Sequence, residues 1–204
     1  MLLSKSLIAA AALLGMSTAA FAVPVSGQFS LGGFVQAVGS TNINAATGMN
    51  FANASGTSVT GTSGLFSNYG AGSGSFASLG ACANTTIGCG TIKNISSFAS
   101  SGAISQFFTL STANGSAVSF DLTSITNVSR PGSDAIGFLA NGFINYSGFD
   151  RTAGLFSLTA QGNSITSFSA TTLAAAATSV PEPTSMAILG GSVAVIGLIR
   201  RKKA

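Results

Sequence analysis

The sequence contains no histidine and no tryptophan, and only 6% of its 204 residues are charged, against about 25% in a typical domain. Without histidine, the chain cannot build Ser–His–Asp triads, Cys–His pairs or the commonest kind of metal site. A glycosidase needs two carboxylates at a set separation, and the central region offers only Asp121, Asp134 and Asp150. Their surroundings are typical of turns and outward strand positions. We therefore predict no catalytic residue, no metal site, no cofactor and no enzymatic activity; a hydrolase using these aspartates is the catalytic alternative.

The net charge of +4 comes from the two ends of the chain. Lys5 lies near the start, and the basic residues 200–203 lie at the finish. Between them Lys93, Arg130 and Arg151 are balanced by three aspartates. A nucleic-acid binder needs several cations on one face to displace counterions. Three dispersed cations exclude a nucleic-acid partner.

Residues 1–22, "MLLSKSLIAAAALLGMSTAAFA", are predicted to be a signal peptide. Lys5 supplies the positive start, residues 7–16 form the apolar core, and small residues follow. Ala20 and Ala22 form an A-x-A site, so we expect signal peptidase to cut between Ala22 and Val23. The alternative is a buried N-terminal helix. Cleavage implies export into an oxidising compartment.

Residues 23–172 are predicted to form an exported β-rich domain, and no sustained helical period occurs in them. In "AVSFDLTSI" and "LFSLTA", apolar residues alternate with polar ones, as in a half-buried antiparallel sheet. Pro131-Gly132 is a turn dipeptide. Three hairpin turns are predicted, at Asn114-Gly115, Asn141-Gly142 and Gly162-Asn163. The expected fold is all-β, an antiparallel β-sandwich or jelly-roll-like domain.

Two features of the first half lead to further expectations. Residues 55–80 are rich in Gly and Ser, which is compatible either with loops or with strands of small side chains.

Cys82 and Cys89 are close in sequence, and an even count in an exported chain favours a disulfide. A zinc site is the competing interpretation, but structural zinc takes four Cys or His ligands. We therefore predict a Cys82–Cys89 disulfide.

The C-terminal region consists of an Ala-rich linker, residues 173–180, and a tail, residues 181–204. The tail begins with Pro181, Glu182 and Pro183. Residues 186–199 are uncharged and mostly apolar, shorter than the roughly 20 residues that usually span a bilayer. Four basic residues follow, Arg200, Arg201, Lys202 and Lys203. The run is predicted to be a short transmembrane helix, with the basic cluster cytoplasmic and the domain outside.

This order of Pro-Glu-Pro motif, short apolar run and terminal basic cluster behind a signal peptide resembles the PEP-CTERM sorting signal of Gram-negative bacteria. The resemblance covers about the last 25 residues. It implies cleavage by an exosortase-type membrane protease and a producer of exopolysaccharide. The chain would be held transiently in the inner membrane and then delivered to the cell surface or extracellular matrix. The alternative is an ordinary C-terminal membrane anchor.

Two functions follow as hypotheses. The first is a structural or adhesive protein of the biofilm matrix, favoured by the export signals and by the lack of catalytic groups. The second is a non-catalytic module that binds the cell's own exopolysaccharide. Sugar sites favour aromatic platforms, and this chain has no Trp and only two Tyr, Tyr69 and Tyr146. The second hypothesis is therefore the alternative.

Overall fold

The computed structural model describes residues 23–59, 61–110 and 118–174, and almost all of their regular structure is β-strand. Two 3₁₀ helices, η1 (Ile43–Ala45) and η2 (Gly74–Leu79), lie between strands of the first half. The strands are β1 (Val23–Pro24), β2 (Gly27–Val38), β3 (Gly48–Phe51), β4 (Ser63–Tyr69), β5 (Cys82–Ala83), β6 (Gly90–Lys93), β7 (Ile104–Leu110), β8 (Val118–Ser129), β9 (Ala135–Tyr146), β10 (Phe149–Asp150), β11 (Thr152–Gln161) and β12 (Ile165–Ala174).

Eight antiparallel strands close into a barrel in the order β2-β12-β11-β9-β8-β7-β6-β4. Pairing between β2 and β4, with Leu31 opposite Tyr69, completes the ring. β3 adds to β2 and β5 adds to β4 outside the ring, and β1 pairs in parallel with β10. Closure leaves these eight strands without a continuous open edge, the feature through which sheets aggregate.

The ring is strongly staggered. The register partners, followed once around the barrel from Tyr146, return to the same strand at Ile136, ten residues away. Such a stagger makes the strands tilt across the barrel axis. Every residue on this path is buried; the path is Tyr146, Val118, Leu110, Gly90, Phe66, Gly33, Phe168, Ala160 and Ile136. The path therefore runs along the inner surface.

Phenylalanine fills the interior. Phe156 lies at the centre, with ring-centroid distances of 5.3 Å to Phe107, 5.8 Å to Phe108 and 5.9 Å to Phe120. Edge and tilted contacts of this kind add to the free energy gained by burying the rings. Small inward residues such as Gly90 and Ala140 leave room for these rings. The core is thus built from alternating large and small side chains on neighbouring strands.

The prediction of an antiparallel all-β domain is confirmed. β7 pairs with β8 and β11 with β12, as expected for two of the three hairpins; the first turn, Asn114-Gly115, lies outside the described residues. In β8 and β11 the apolar residues of the alternating pattern point inward. The β-sandwich or jelly-roll is not confirmed, because the sheet closes on itself as a barrel. Alternation specifies which face is buried but not whether two sheets join at their edges.

The hairpin predicted at Asn141-Gly142 is wrong. β9 runs straight through both residues, and the chain turns at Ser147-Gly148 instead, where Gly148 has a φ of 88°. Gly142 serves close packing: a Cβ atom there would lie 2.2 Å from the carbonyl oxygen of Asp121 and 2.4 Å from the Phe120 ring. An Asn-Gly pair therefore marks a bulged contact between β8 and β9 rather than a reversal.

Residues 55–80 contain both structures left open by their composition: a loop, then β4, then η2. The last strand includes Leu173 and Ala174, the first two residues of the predicted linker. Within the described ranges, no helix has the length and apolar character that a membrane crossing requires. The predicted signal peptide with Ala20 and Ala22, and the predicted span over residues 186–199, lie outside those ranges.

Replacing Gly142 with alanine should destabilise the barrel, because the new methyl group meets backbone and ring atoms that cannot both withdraw. We expect a loss of about 1–3 kcal/mol in the free energy of unfolding, measured by urea denaturation followed by circular dichroism. Gly137→Ala on the same strand is the control, since its Cβ would approach no atom closer than 3.3 Å. Equal stability of the two variants would contradict the packing role of Gly142.

Candidate functional site

Because aromatic rings fill the interior of the barrel, the candidate site lies on its outer wall. On this wall, and within the described residues, Asp121 of β8 forms an ion pair with Arg151, with 3.3 Å between Oδ2 and Nη2. The Arg151 guanidinium also lies over the Phe143 ring, 3.7 Å from its centroid. Asn145 is on the same outer face of β9 and donates from Nδ2 to Asp121 Oδ2 at 3.0 Å. We call Asp121, Phe143, Asn145 and Arg151 the outer cluster.

Strand register explains why these residues meet. Asp121 is the register partner of Phe143, and Ser119 is the partner of Asn145. Outward residues two apart on one strand lie side by side, so Phe143 and Asn145 present one continuous surface. Arg151 lies just before β11, which pairs with this part of β9. Three chain segments separated in sequence thus supply one site.

A distortion of β7 completes the carboxylate's hydrogen bonds. The pairing of β7 with β8 is irregular between Ile104 and Phe108, and Gln106 takes a φ of 47°, unusual for a residue other than glycine. Its N–H donates to Asp121 Oδ1 at 2.8 Å. The bulge removes the Gln106 N–H from the hydrogen-bond ladder of the strands, and Asp121 satisfies this group by accepting its hydrogen bond. The bulge and the outer cluster therefore support each other.

The protonation of Asp121 follows from these contacts. Partial burial favours the neutral carboxyl and so acts to raise its pKa. The Gln106 N–H, the Asn145 amide and the Arg151 guanidinium act in the opposite direction, and the net result is a pKa below the ordinary value. Asp121 is thus held ionised at neutral pH as an acceptor and counter-ion. A general acid would need the opposite shift.

A shallow cleft of about 350 Å³ lies beside the outer cluster. Its lining combines amide, hydroxyl, cationic and aromatic groups: Ser119, Asn145, Tyr146, Ser147, Phe149 and Arg151. Phe149 stacks on Tyr146 with ring centroids 4.9 Å apart, and the Tyr146 hydroxyl is 3.0 Å from Ser78 Oγ. A cleft with an aromatic wall and converging polar groups can accept a small polar ligand such as a sugar ring.

A second cleft, of about 330 Å³, is lined mainly by hydroxyl and apolar groups near the far ends of β9, β11 and β12. Ser129, Thr159, Ser167 and Ser169 contribute its hydroxyls. They belong to an outer face on which Ser and Thr occupy half of the outward positions of β11 and β12. This cleft has no ionisable side chain in its lining, so the outer cluster is the stronger candidate site.

Asp121 and Asp134 do not converge. Asp134 precedes β9 at the end of the barrel opposite to Asp121. Phe143, the register partner of Asp121, is nine residues farther along this extended strand, a distance of about 30 Å. Its carboxylate accepts from Gln161 Nε2 at 3.3 Å. Asp150 is exposed on β10. Among the described residues, no three metal-binding side chains cluster. A paired-carboxylate reaction using Asp121 and Asp134 is excluded by this distance.

The predicted disulfide is present. Cys82 and Cys89 are bonded, with 5.9 Å between their Cα atoms, and close a loop beside β4. Lys93 donates from Nζ to the Ser105 carbonyl oxygen at 2.7 Å. Val23, the expected first residue after cleavage, lies in β1. The sorting motif Pro181, Glu182 and Pro183 and the basic residues 200–203 lie outside the described residues.

Sequence reasoning missed the outer cluster. It placed Asp121 on an outward strand position, which is correct, but it assigned no role to Phe143, Asn145 or Arg151. The available signal was the alternation of Phe143 and Asn145 around a buried Ile144. That signal was hidden by the wrong turn at Asn141-Gly142, because a turn there would have placed these residues on a different strand.

Comparison with protein-family models, with curated proteins and with solved structures finds no match to this chain. The site must therefore be interpreted from its own geometry.

Replacing Asp121 with asparagine should lower stability at neutral pH by about 1 kcal/mol, because the variant loses charge-assisted hydrogen bonds. Since the folded-state pKa of Asp121 is lowered, the native carboxylate stabilises the fold above its unfolded pKa, and this contribution disappears as pH falls through the folded pKa. Urea denaturation at several pH values should show the wild type and variant converging in acid. Asp150→Asn, at an exposed aspartate, is the control. A constant difference across the pH range would contradict the assignment.

Proposed function

We propose that this chain is an exported, non-catalytic protein of the cell surface or extracellular matrix, with a structural or adhesive role in biofilm. Residues 1–22 act as the signal peptide. Residues 181–204 hold the chain transiently in the inner membrane through a short helix, until an exosortase-type protease cleaves near Pro181, Glu182 and Pro183. The released domain then joins the exopolysaccharide.

The closed, disulfide-bonded barrel with its hydroxyl-rich wall is the observation that carries this proposal. The Cys82–Cys89 bond suits an oxidising compartment. Outward Ser and Thr residues of β11 and β12 keep the wall polar with almost no charge; they are Ser157, Thr159, Ser167, Ser169 and Thr171. Such groups hydrogen-bond to hydrated polysaccharide without attracting ions. The closed sheet limits edge-to-edge aggregation of the released domain.

Processing is tested by intact-mass spectrometry of protein recovered from a Gram-negative host with and without its exosortase. With the protease, we expect a chain that begins at Val23 and lacks the tail after the motif. Triple replacement of Pro181, Glu182 and Pro183 by alanine should leave the tail attached and the protein in the membrane fraction. Pro131→Ala, in a turn of the barrel, is the control and should be processed normally. Full-length chain with both ends intact in the cytosol would overturn the proposal.

A second candidate function, carbohydrate binding, is favoured by the cleft beside the outer cluster. The Phe149 ring, which stacks on the buried Tyr146 ring, supplies an aromatic wall, and Asn145, Ser119 and Arg151 supply donors. Other than the bond to Asp121, the Arg151 guanidinium has no hydrogen bond to the described residues. Its remaining N–H groups are therefore available to ring hydroxyls or to a uronate carboxylate.

Calorimetric titration with fragments of the producer's exopolysaccharide tests this second function. Arg151→Ala should weaken binding at least tenfold, because a charge-assisted hydrogen bond contributes about 1.5–3 kcal/mol. Arg130→Ala removes an arginine at the other end of the barrel and should leave the affinity unchanged. No measurable binding by the wild type, or equal loss in both variants, would exclude a glycan site at the outer cluster.

A further inference from the structure

Both ends of the described domain lie at the same end of the barrel. Val23 pairs with Phe149, just before β11 begins, and Gly27 at the start of β2 pairs with Ala174 at the finish of β12. Gly154 near the start of β11 is also a partner of Ala174. We call this the chain-exit end. The two apolar terminal segments of the sequence are therefore attached at one place on the barrel.

Exposed apolar side chains are concentrated at the chain-exit end. The large exposed hydrophobic residues among those described are Val23 (65% exposed), Ile87 (74%), Leu139 (42%), Leu155 (45%) and Leu173 (42%). Val23 lies at the chain-exit end itself. Leu155 follows Gly154, Leu173 precedes Ala174, and the two leucines are register partners on the outer wall. Three of the five therefore surround the point where the chain leaves the barrel.

Chain length limits how far the chain-exit end can lie from a membrane. The apolar run begins at Met186, twelve residues after Ala174, and twelve extended residues span at most about 43 Å. At the other end, Val23 directly follows the predicted signal peptide. A chain held by the predicted span keeps its chain-exit end within about 43 Å of the bilayer, and one held by the predicted signal peptide keeps Val23 next to it. The opposite end, with Arg130 and Asp134, lies a further strand length away.

We propose that the chain-exit end rests on the surface of the lipid bilayer while the tail is attached, with Val23, Leu155 and Leu173 inserted among the headgroups. Arg151, whose side chain is 53% exposed near the same end, pairs with a lipid phosphate. This inference rests on the proposed sorting role of the tail. It adds an orientation, in which the barrel stands on the membrane and presents its polar far end outward.

A lipid surface fits this patch better than a second copy of the chain. A standard protein interface buries about 800 Å² on each partner, more than three side chains provide. A small patch can nevertheless contact lipid persistently when a covalent tether holds it nearby, because tethering raises its effective concentration. After cleavage the tether is lost, and contact this limited would release the domain. The same three side chains therefore hold the tethered domain on the bilayer and allow the cleaved domain to leave it.

The absence of tryptophan makes the test direct, because one introduced Trp dominates the fluorescence. Full-length chain is reconstituted into vesicles of phosphatidylethanolamine and phosphatidylglycerol with brominated acyl chains, which quench only nearby Trp. Leu155→Trp and Leu173→Trp should be quenched at least twofold. Leu139→Trp, equally exposed but two residues farther along the wall, should be quenched less. Ser133→Trp, in the turn at the opposite end, should not be quenched.

A Leu198→Trp variant in the tail separates this inference from the sorting proposal. If this Trp is quenched and those at positions 155 and 173 are not, the tail inserts but the barrel does not rest on the bilayer. Equal quenching at positions 133, 139, 155 and 173 overturns the orientation. A blue shift of the Trp emission at positions 155 and 173 without quenching means that a second copy of the chain covers these side chains. This result also overturns the inference. Hydrogen exchange of the unmodified chain gives a test that needs no Trp. We expect amides at the start of β11 to exchange more slowly in vesicles than in detergent, and equal exchange rates would contradict the inference.

Discussion

Pairing of β2 with β4 is the contact on which the rest of the molecule depends, because it turns a long antiparallel sheet into a closed ring. Closure gives the phenylalanine side chains a common interior and satisfies backbone groups that an open edge would expose. The register of this pair shifts between Gly32 and Gly33, which lie opposite Asn68 and Phe66, so β4 carries one extra residue there. Gly33 leaves space for the Phe168 ring, which a Cβ would approach to 3.0 Å. Glycine is thus as necessary to this core as phenylalanine.

A filled interior and an almost uncharged wall determine what the protein can do. Charged residues ordinarily keep proteins soluble, and here rows of Ser, Thr and Asn take that role on the outer face. The ion pair between Asp121 and Arg151 is held by Asn145 and Phe143, so even this local charge is neutralised within its cluster. Such a surface offers many hydrogen-bonding groups and few charges.

Local patterns predicted the strands well and their connections unevenly. Gly162-Asn163 does form a turn, with Gly162 at a φ of 127°. The similar pair Asn141-Gly142 lies inside a strand. Both dipeptides permit positive φ, so neither one alone decides whether the chain reverses. The difference arises from the neighbouring strand: the Asp121 carbonyl and the Phe120 ring occupy the space of a side chain at position 142.

Local sequence patterns were enough to predict the all-β class, the buried face of β8 and β11 and the Cys82–Cys89 bond. These depend on residues near one another in the chain, through alternation and a short loop. Three features came from the folded structure alone: the closure of the sheet into a barrel, the meeting of Asp121, Asn145 and Arg151, and the position of both ends of the described domain at one end of the barrel. Each of these depends on register between strands far apart in sequence, and alternation repeats every two residues without specifying which strand becomes the neighbour.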